Sequence, residues 1–298
     1  MLEEKARLSL PASGGPGAFQ EKAGGLEDRL PAPPGGVRRR LRAASRARLI
    51  STVSIVVFML LWEGVVRLHL VNPLFTSSPT RIAEAFAQMI HEGSLGKDLR
   101  VSGSEFLLGY ALAVVVGILV GVGMGWYADV AAALQPFVSA LYSTPRVALI
   151  PLLIIWLGIG IWSKVAVVFL VTVFQILIST EAGVRAADES LIRTAHSFGA
   201  NDRQIFTTIV LPGAVPFLIA GLRLGLGQAL VGIVVGELYA ATAGIGYEIA
   251  VAGETFQTDR VFVGIAILAS TAILLMWGLR RLEMRFESWR PQRQGAGR

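Results

Sequence analysis

Cysteine is absent from the 298 residues, which excludes disulfides and thiolate metal sites. The three histidines, His69, His91 and His196, are scattered and lack metal-ligand spacing. Charged residues make up only 16% of the chain, against about 25% in ordinary soluble domains. No G-x-x-x-x-G-K-[ST] run occurs, so the chain should not bind ATP by a P-loop. Gly96-Lys97 lacks both the leading glycine and the following Ser or Thr. Nucleic acid is a poor partner despite a net charge of +6, because the basic residues cluster at the two ends without interleaved aromatics.

What is present is apolar, at a mean hydropathy of +0.61, and it is arranged in blocks. A bilayer core takes about 20 helical residues to cross. Six charge-poor blocks reach that scale, at about 49–70, 106–128, 131–158, 161–180, 213–236 and 261–279. The third is interrupted by Pro145, Arg146 and Pro151, and the fourth carries Lys164 near its start. The expected fold is all-α and polytopic, with residues 48–290 as one membrane domain. Residues 1–47, rich in Gly, Pro, Ala and Arg, read as a disordered basic tail, and 291–298 as a second tail. Arg38-Arg39-Arg40-Leu41 resembles a twin-arginine signal, but no small-residue cleavage site follows, so a retained first span is expected.

Orientation follows from Lys and Arg. Arg38 to Arg48 precede the first block, and Arg280, Arg281, Arg285, Arg290 and Arg293 follow the last. Both tails are expected on the cytoplasmic side, together with the loop at 181–212. The outward loop at 237–260 is acidic, through Glu237, Glu248, Glu254 and Asp259. The first outward loop breaks the pattern with Arg67, Arg81, Lys97 and Arg100. Within it, Ser78 and Pro79 form a helix start, and Ile82, Phe86, Met89 and Ile90 share one face. That helix either lies on the membrane or its neighbours, or touches a receptor.

Residues 188–212 are polar and heavily punctuated. Asp188 can cap a helix over 189–198, with Leu191, Ile192, Ala195 and Phe198 on one side. Gly199 stands where a left-handed residue is wanted. Asn201 and Gln204 have capping-box spacing ahead of Ile205, Phe206, Ile209 and Val210. Pro212 should end that second helix and start the next. Two short helices at an angle suit either partner docking or simple packing.

The spacing Ala195, Gly199, Ile209, Leu211, Pro212 resembles the E-A-A-x-x-x-G…I-x-L-P signature of ATP-binding-cassette importer permeases. Arg193 stands where that family usually has glutamate, and Thr194 where alanine is common. Over about 50–290 the chain is similar to the nitrate/sulfonate/taurine permease subfamily. The matching pieces are Ser78-Pro79-Thr80, the run from Thr144 to Leu152, Trp156-Leu157-Gly158-Ile159-Gly160, Gly221-Leu222-Arg223, Gly244-Ile245-Gly246-Tyr247, Glu283 and Trp289. The resemblance implies a type I importer permease fold in the inner membrane of a prokaryote. It implies a separate ATPase subunit that carries ATP and Mg, an extracytoplasmic solute-binding protein, a permease homodimer and contact with membrane lipid. No cofactor is expected on this chain. It also implies that Arg193, Ala195, Phe198, Gly199, Ala200, Ile209, Leu211 and Pro212 form the coupling element for the ATPase.

Pathway candidates come from the cost of polar groups at membrane depth. They are Pro145, Arg146, Pro151, Gln175, Arg223 and Gln228. Arg146 and Arg223 either attract an anion or serve structure, Arg223 by bonding carbonyls or Glu237 and Arg146 near a surface. Pro145 and Pro151 are either moving bends or static kinks. Gly158, Gly160, Gly221, Gly225 and Gly227 are expected to permit close helix packing. The solute would be a small anion such as nitrate, a sulfonate or taurine, or else a vitamin precursor or aromatic acid. An ion-driven secondary transporter is the alternative class, but no repeat is evident and Glu63 is the one acid well inside a span. A membrane scaffold would need neither proline-broken spans nor a mid-span arginine.

Overall fold

The computed structural model describes residues 36–72 and 74–285, and among these no strand occurs. Residues 1–35 and 286–298, with most of the two tails and Trp289, lie outside them. The chain divides into two units, Met1–Leu61 and Trp62–Arg298. Every contact reported below lies within the second.

Helix α1 spans Gly36–Arg67, α2 Pro79–His91 and α3 Ser94–Trp126. Then come α4 at Ala128–Ser143, a 3-10 turn at Arg146–Leu149, α5 at Ile150–Leu157 and α6 at Ile161–Arg185. The remaining elements are α7 at Glu189–Ser197, α8 at Asp202–Ile205, a π-turn at Phe206–Val210, α9 at Leu211–Ala240, α10 at Ile245–Glu254 and α11 at Thr258–Arg285. The part of the expected basic tail from Gly36 onward is therefore helical.

Among the described residues, five helices are long and apolar enough to cross a membrane: Leu49–Arg67, Ser94–Trp126, Ile161–Arg185, Asp202–Ala240 and Thr258–Arg281. The expected third span is two helices, Ala128–Ser143 and Arg146–Leu157, bent by 92°. Thr144 and Pro145 cause the break. Both are extended, at ψ 134° and 98°, and Thr144 is so because the residue before a proline avoids the helical region. Pro151 makes no kink of its own, since it sits in the first turn of α5, where a missing N–H costs nothing.

The packing centre is α6, held between α3 and α9. Gly109, Gly117, Gly121 and Gly125 of α3 lie over Val168, Ile176, Thr180 and Val184 of α6. A methyl group at Gly121 would stand 2.6 Å from the Leu177 carbonyl oxygen. From the other side Gly221, Gly225 and Gly232 of α9 lie over Ser179, Ile176 and Val171. In lipid, helices gain little from expelling water, so close backbone approach supplies the dispersion energy instead. The packing role expected for Gly221 and Gly225 holds. It does not hold for Gly158, Gly160 and Gly227, which face open space. Gly158 instead ends α5 at a positive φ of 77°.

Candidate functional site: a capped elbow and a polar pocket

Local chemistry builds the elbow. The Asp188 side chain accepts the Ser190 N–H at 2.7 Å and starts α7. Hydrogen bonding from the Ser190 side chain, then from its backbone, holds the Asp188 carboxyl below its ordinary value. Its charge therefore persists at neutral pH beside the positive end of the helix. The helix closes on Gly199 at φ 81°. There the Ala200 N–H reaches the Ala195 carbonyl at 3.0 Å and the Gly199 N–H reaches His196 at 2.9 Å, the paired bonds of a Schellman ending. Asn201 and Gln204 then exchange the two bonds of a capping box, each at 2.9 Å.

Pro212 stands in the first turn of α9, as expected, but it does not stop the helix before it. Asp202–Ala240 runs as one helix of 39 residues, with the five-residue π-turn immediately before Leu211. Proline lacks a donor and crowds the carbonyl four residues back. A wider π-turn at that place accommodates it without stopping the helix.

The faces divide differently from the sequence expectation. Ile205 and Val210 are buried, and Ile192, Ala195, Ala200, Phe206 and Ile209 pack beside them. Most of the elbow's apolar surface is thus spent on its own bundle. Phe198, counted on the same side as Ala195, is 87% exposed, and Leu191 is 53% exposed. Arg193 is also exposed and pairs with Glu189 at 3.1 Å, one helical turn away.

A pocket of about 350 Å³ gathers four of the six pathway candidates: Pro145, Arg146, Gln175 and Gln228. The α4–α5 bend, α6 and α9 line it. Pro151 and Arg223 are elsewhere. Arg146 is committed to structure, donating to the carbonyls of Tyr142 at 3.0 Å and Val171 at 3.3 Å. Its guanidinium lies over the Tyr142 ring at 4.9 Å. By contrast, among the described residues no hydrogen bond occupies the amides of Gln175 or Gln228.

Arg223 pairs with Glu283 near the end of α11, not with Glu237. The acidic outward loop is also redrawn. Glu237 is a buried residue of α9, 1% exposed. Asp259 meets Arg81 at 2.8 Å, and Arg260 meets Glu92 at 3.0 Å and Glu248 at 3.3 Å. These pairs join the loop to the basic region that seemed to break the charge pattern. Sequence reading missed Glu105, 2% exposed, whose carboxylate meets Lys164 at 2.5 Å. A stripe of Asp98, Ser102 and Glu105 at helical spacing in α3 could have revealed it. Glu63 is therefore not the one acid inside a span.

The profile of the family "binding-protein-dependent transport system inner membrane component" matches residues 113–288. The taurine transport system permease protein of Escherichia coli K12 is 36% identical over 250 residues, 82% of this chain and 91% of its own. The riboflavin transport system permease protein of Chloroflexus aurantiacus is 34% identical over 79% of this chain and 89% of its own. Among solved structures, the MetNI methionine ABC transporter in an inward-facing conformation superposes with a TM-score of 0.56. That match has 18% identity and covers 65% of this chain and 95% of the other. It bears on the fold alone.

Proposed function

The chain belongs to the binding-protein-dependent transport system inner membrane component family, and we propose that its capped elbow at 188–212 is where an ATPase subunit drives it. It is a multi-pass permease subunit of an ATP-binding-cassette importer. That membership carries with it an ATPase and a solute-binding protein as partners. ATP and Mg belong to the ATPase.

The observation that supports the docking site is Phe198, a large aromatic left 87% exposed at the tip of a fully capped turn. Caps, Schellman bonds and a packed inner face fix the elbow before any partner arrives, so little ordering entropy opposes docking. The same elbow feeds one continuous helix, Asp202–Ala240. A push on the elbow is therefore carried toward the far end of the bundle along one helix. The elbow and both tails lie on the cytoplasmic side, and two copies enclose the pathway. Gln175 and Gln228 offer uncommitted amides to the solute, while Arg146 holds the bend. A small sulfonate such as taurine is the solute class, since amide N–H groups suit its oxygens.

Phe198→Ala tests the docking site. Buried aromatic anchors contribute about 2 kcal/mol or more to an interface. The ATPase should bind the variant at least roughly 30-fold more weakly, and taurine uptake by the reconstituted complex should fall with it. Undiminished ATPase binding would remove the elbow from this role. Uptake of riboflavin in place of taurine would overturn the solute class alone.

A further inference from the structure

The end of α9 farthest from the elbow carries a second built feature. Glu237 is almost wholly buried there. Its Oε1 accepts the Ser102 hydroxyl at 2.5 Å, and its Oε2 accepts the Gly246 N–H at 2.6 Å. Ser102 Oγ in turn accepts the Ile245 N–H at 2.8 Å, and Asp98 Oδ1 accepts the Gly244 N–H at 2.9 Å. Three successive N–H groups at the start of α10 are thus held by side chains from two spans. Helix starts need such acceptors, because their first N–H groups have no partner within the helix.

The glycines are part of the device. Gly244 has φ 123°. A Cβ at Gly246 would stand 2.8 Å from Glu237 Oε2. Only residues without a side chain let the carboxylate come so close. The motif Gly244-Ile245-Gly246 is thus legible as the receiving half of a clasp.

We propose that Glu237 is a positioning residue that binds α3, α9 and α10 into one body, so that displacement of the elbow is delivered to α10. The proposal rests on the coupling reading above. One helix of 39 residues carries the elbow at one end and Glu237 near the other, about 53 Å apart along its axis at 1.5 Å per residue. A continuous helix of that kind transmits displacement only as far as its last firm contact. Here that contact is the clasp. α10 does not hang on the intervening loop alone.

The absence of cysteine permits a clean test. Cysteines at the exposed positions Tyr239 and Glu254, spin-labelled, report the α9–α10 distance in the reconstituted permease–ATPase complex. The wild-type clasp should give one narrow distribution both without nucleotide and with ATP trapped. Glu237→Ala and Gly246→Ala should each broaden or split it. Uptake should fall about tenfold, within the ordinary range of a coupling free energy, while basal ATP hydrolysis is retained. Glu237→Gln keeps an acceptor oxygen and should restore the narrow distribution and uptake. Should Glu237→Ala fail to assemble, Ser102→Ala removes two of the four bonds and takes its place. A distribution left narrow by both alanine variants would overturn the clasp. So would uptake and basal hydrolysis lost in equal proportion. Failure of the ATPase to join the wild-type chain would instead sink the coupling reading, while the distance measured in the reconstituted permease alone would still decide the clasp.

Discussion

At the residue scale, buried charge separates what sequence can locate from what it cannot. Lys164 was visible near the start of a span, but its partner was not. Glu105 lies 59 positions away and meets it at 2.5 Å, with both side chains under 10% exposed. Removing one member strands the other in a low dielectric, at a cost of about 3–5 kcal/mol. Glu105→Ala should therefore lower the thermal midpoint of the detergent-solubilised protein markedly. Glu105→Ala with Lys164→Leu should recover most of the loss, because no charge is then left unpaired. Equal destabilisation in the single and double variants would argue against the pair. Arg146 teaches the converse. It was a candidate for anion contact, yet two carbonyls and an aromatic ring already hold it. The amides that remain available are the milder candidates Gln175 and Gln228.

At the element scale, local signals in the loop were strong because each cap is made within a few residues. Asp188, Gly199 and the Asn201–Gln204 box all do what their types and spacing require. Pro212 takes the first turn of α9 as expected but does not stop the helix before it, because the rule that proline ends a helix assumes an α-helical turn before it. The π-turn at Phe206–Val210 removes that assumption. The glycine stripe of α3 was also missed, although its four-residue spacing stood in the sequence. Without a partner surface, a glycine in an apolar run looks like mere composition. Gly121→Leu should be the severe variant, since its first side-chain carbon already meets the Leu177 carbonyl and Thr180. Overpacking of this kind costs about 1–3 kcal/mol or more. Gly103→Leu, with nothing within 4 Å, should be tolerated. Comparable yields and melting temperatures for the two variants would contradict the α3–α6 packing.

At the scale of the whole molecule, the pocket between the α4–α5 bend, α6 and α9 is open on one side. Val231 lines it and is 57% exposed. A second copy facing it across a two-fold axis would close the pathway and bring each Val231 toward its mate. Val231→Cys should therefore form an intermolecular disulfide in oxidised membranes. Leu119→Cys, 68% exposed on α3, should not. Cross-linking at Leu119 in place of Val231 would move the dimer axis to another face. The Arg223–Glu283 pair belongs to this scale too. Both residues stood among the family-like pieces of sequence, but only the meeting of α9 and α11 makes them partners.

By itself the sequence determined the all-helical membrane class, the capped elbow and the family resemblance. These rest on hydropathy blocks and on caps whose partners are near in the chain. Tertiary structure alone decided the 92° break, the uninterrupted helix through Pro212, the pairing of Lys164 with Glu105 and the seating of Glu237 on Gly246. Each depends on groups that are distant in sequence, or on a turn geometry that two chemistries can satisfy. A polar residue in a span announces that a partner must exist, because burial without one is too costly. It does not say which partner. That choice is made when the helices pack.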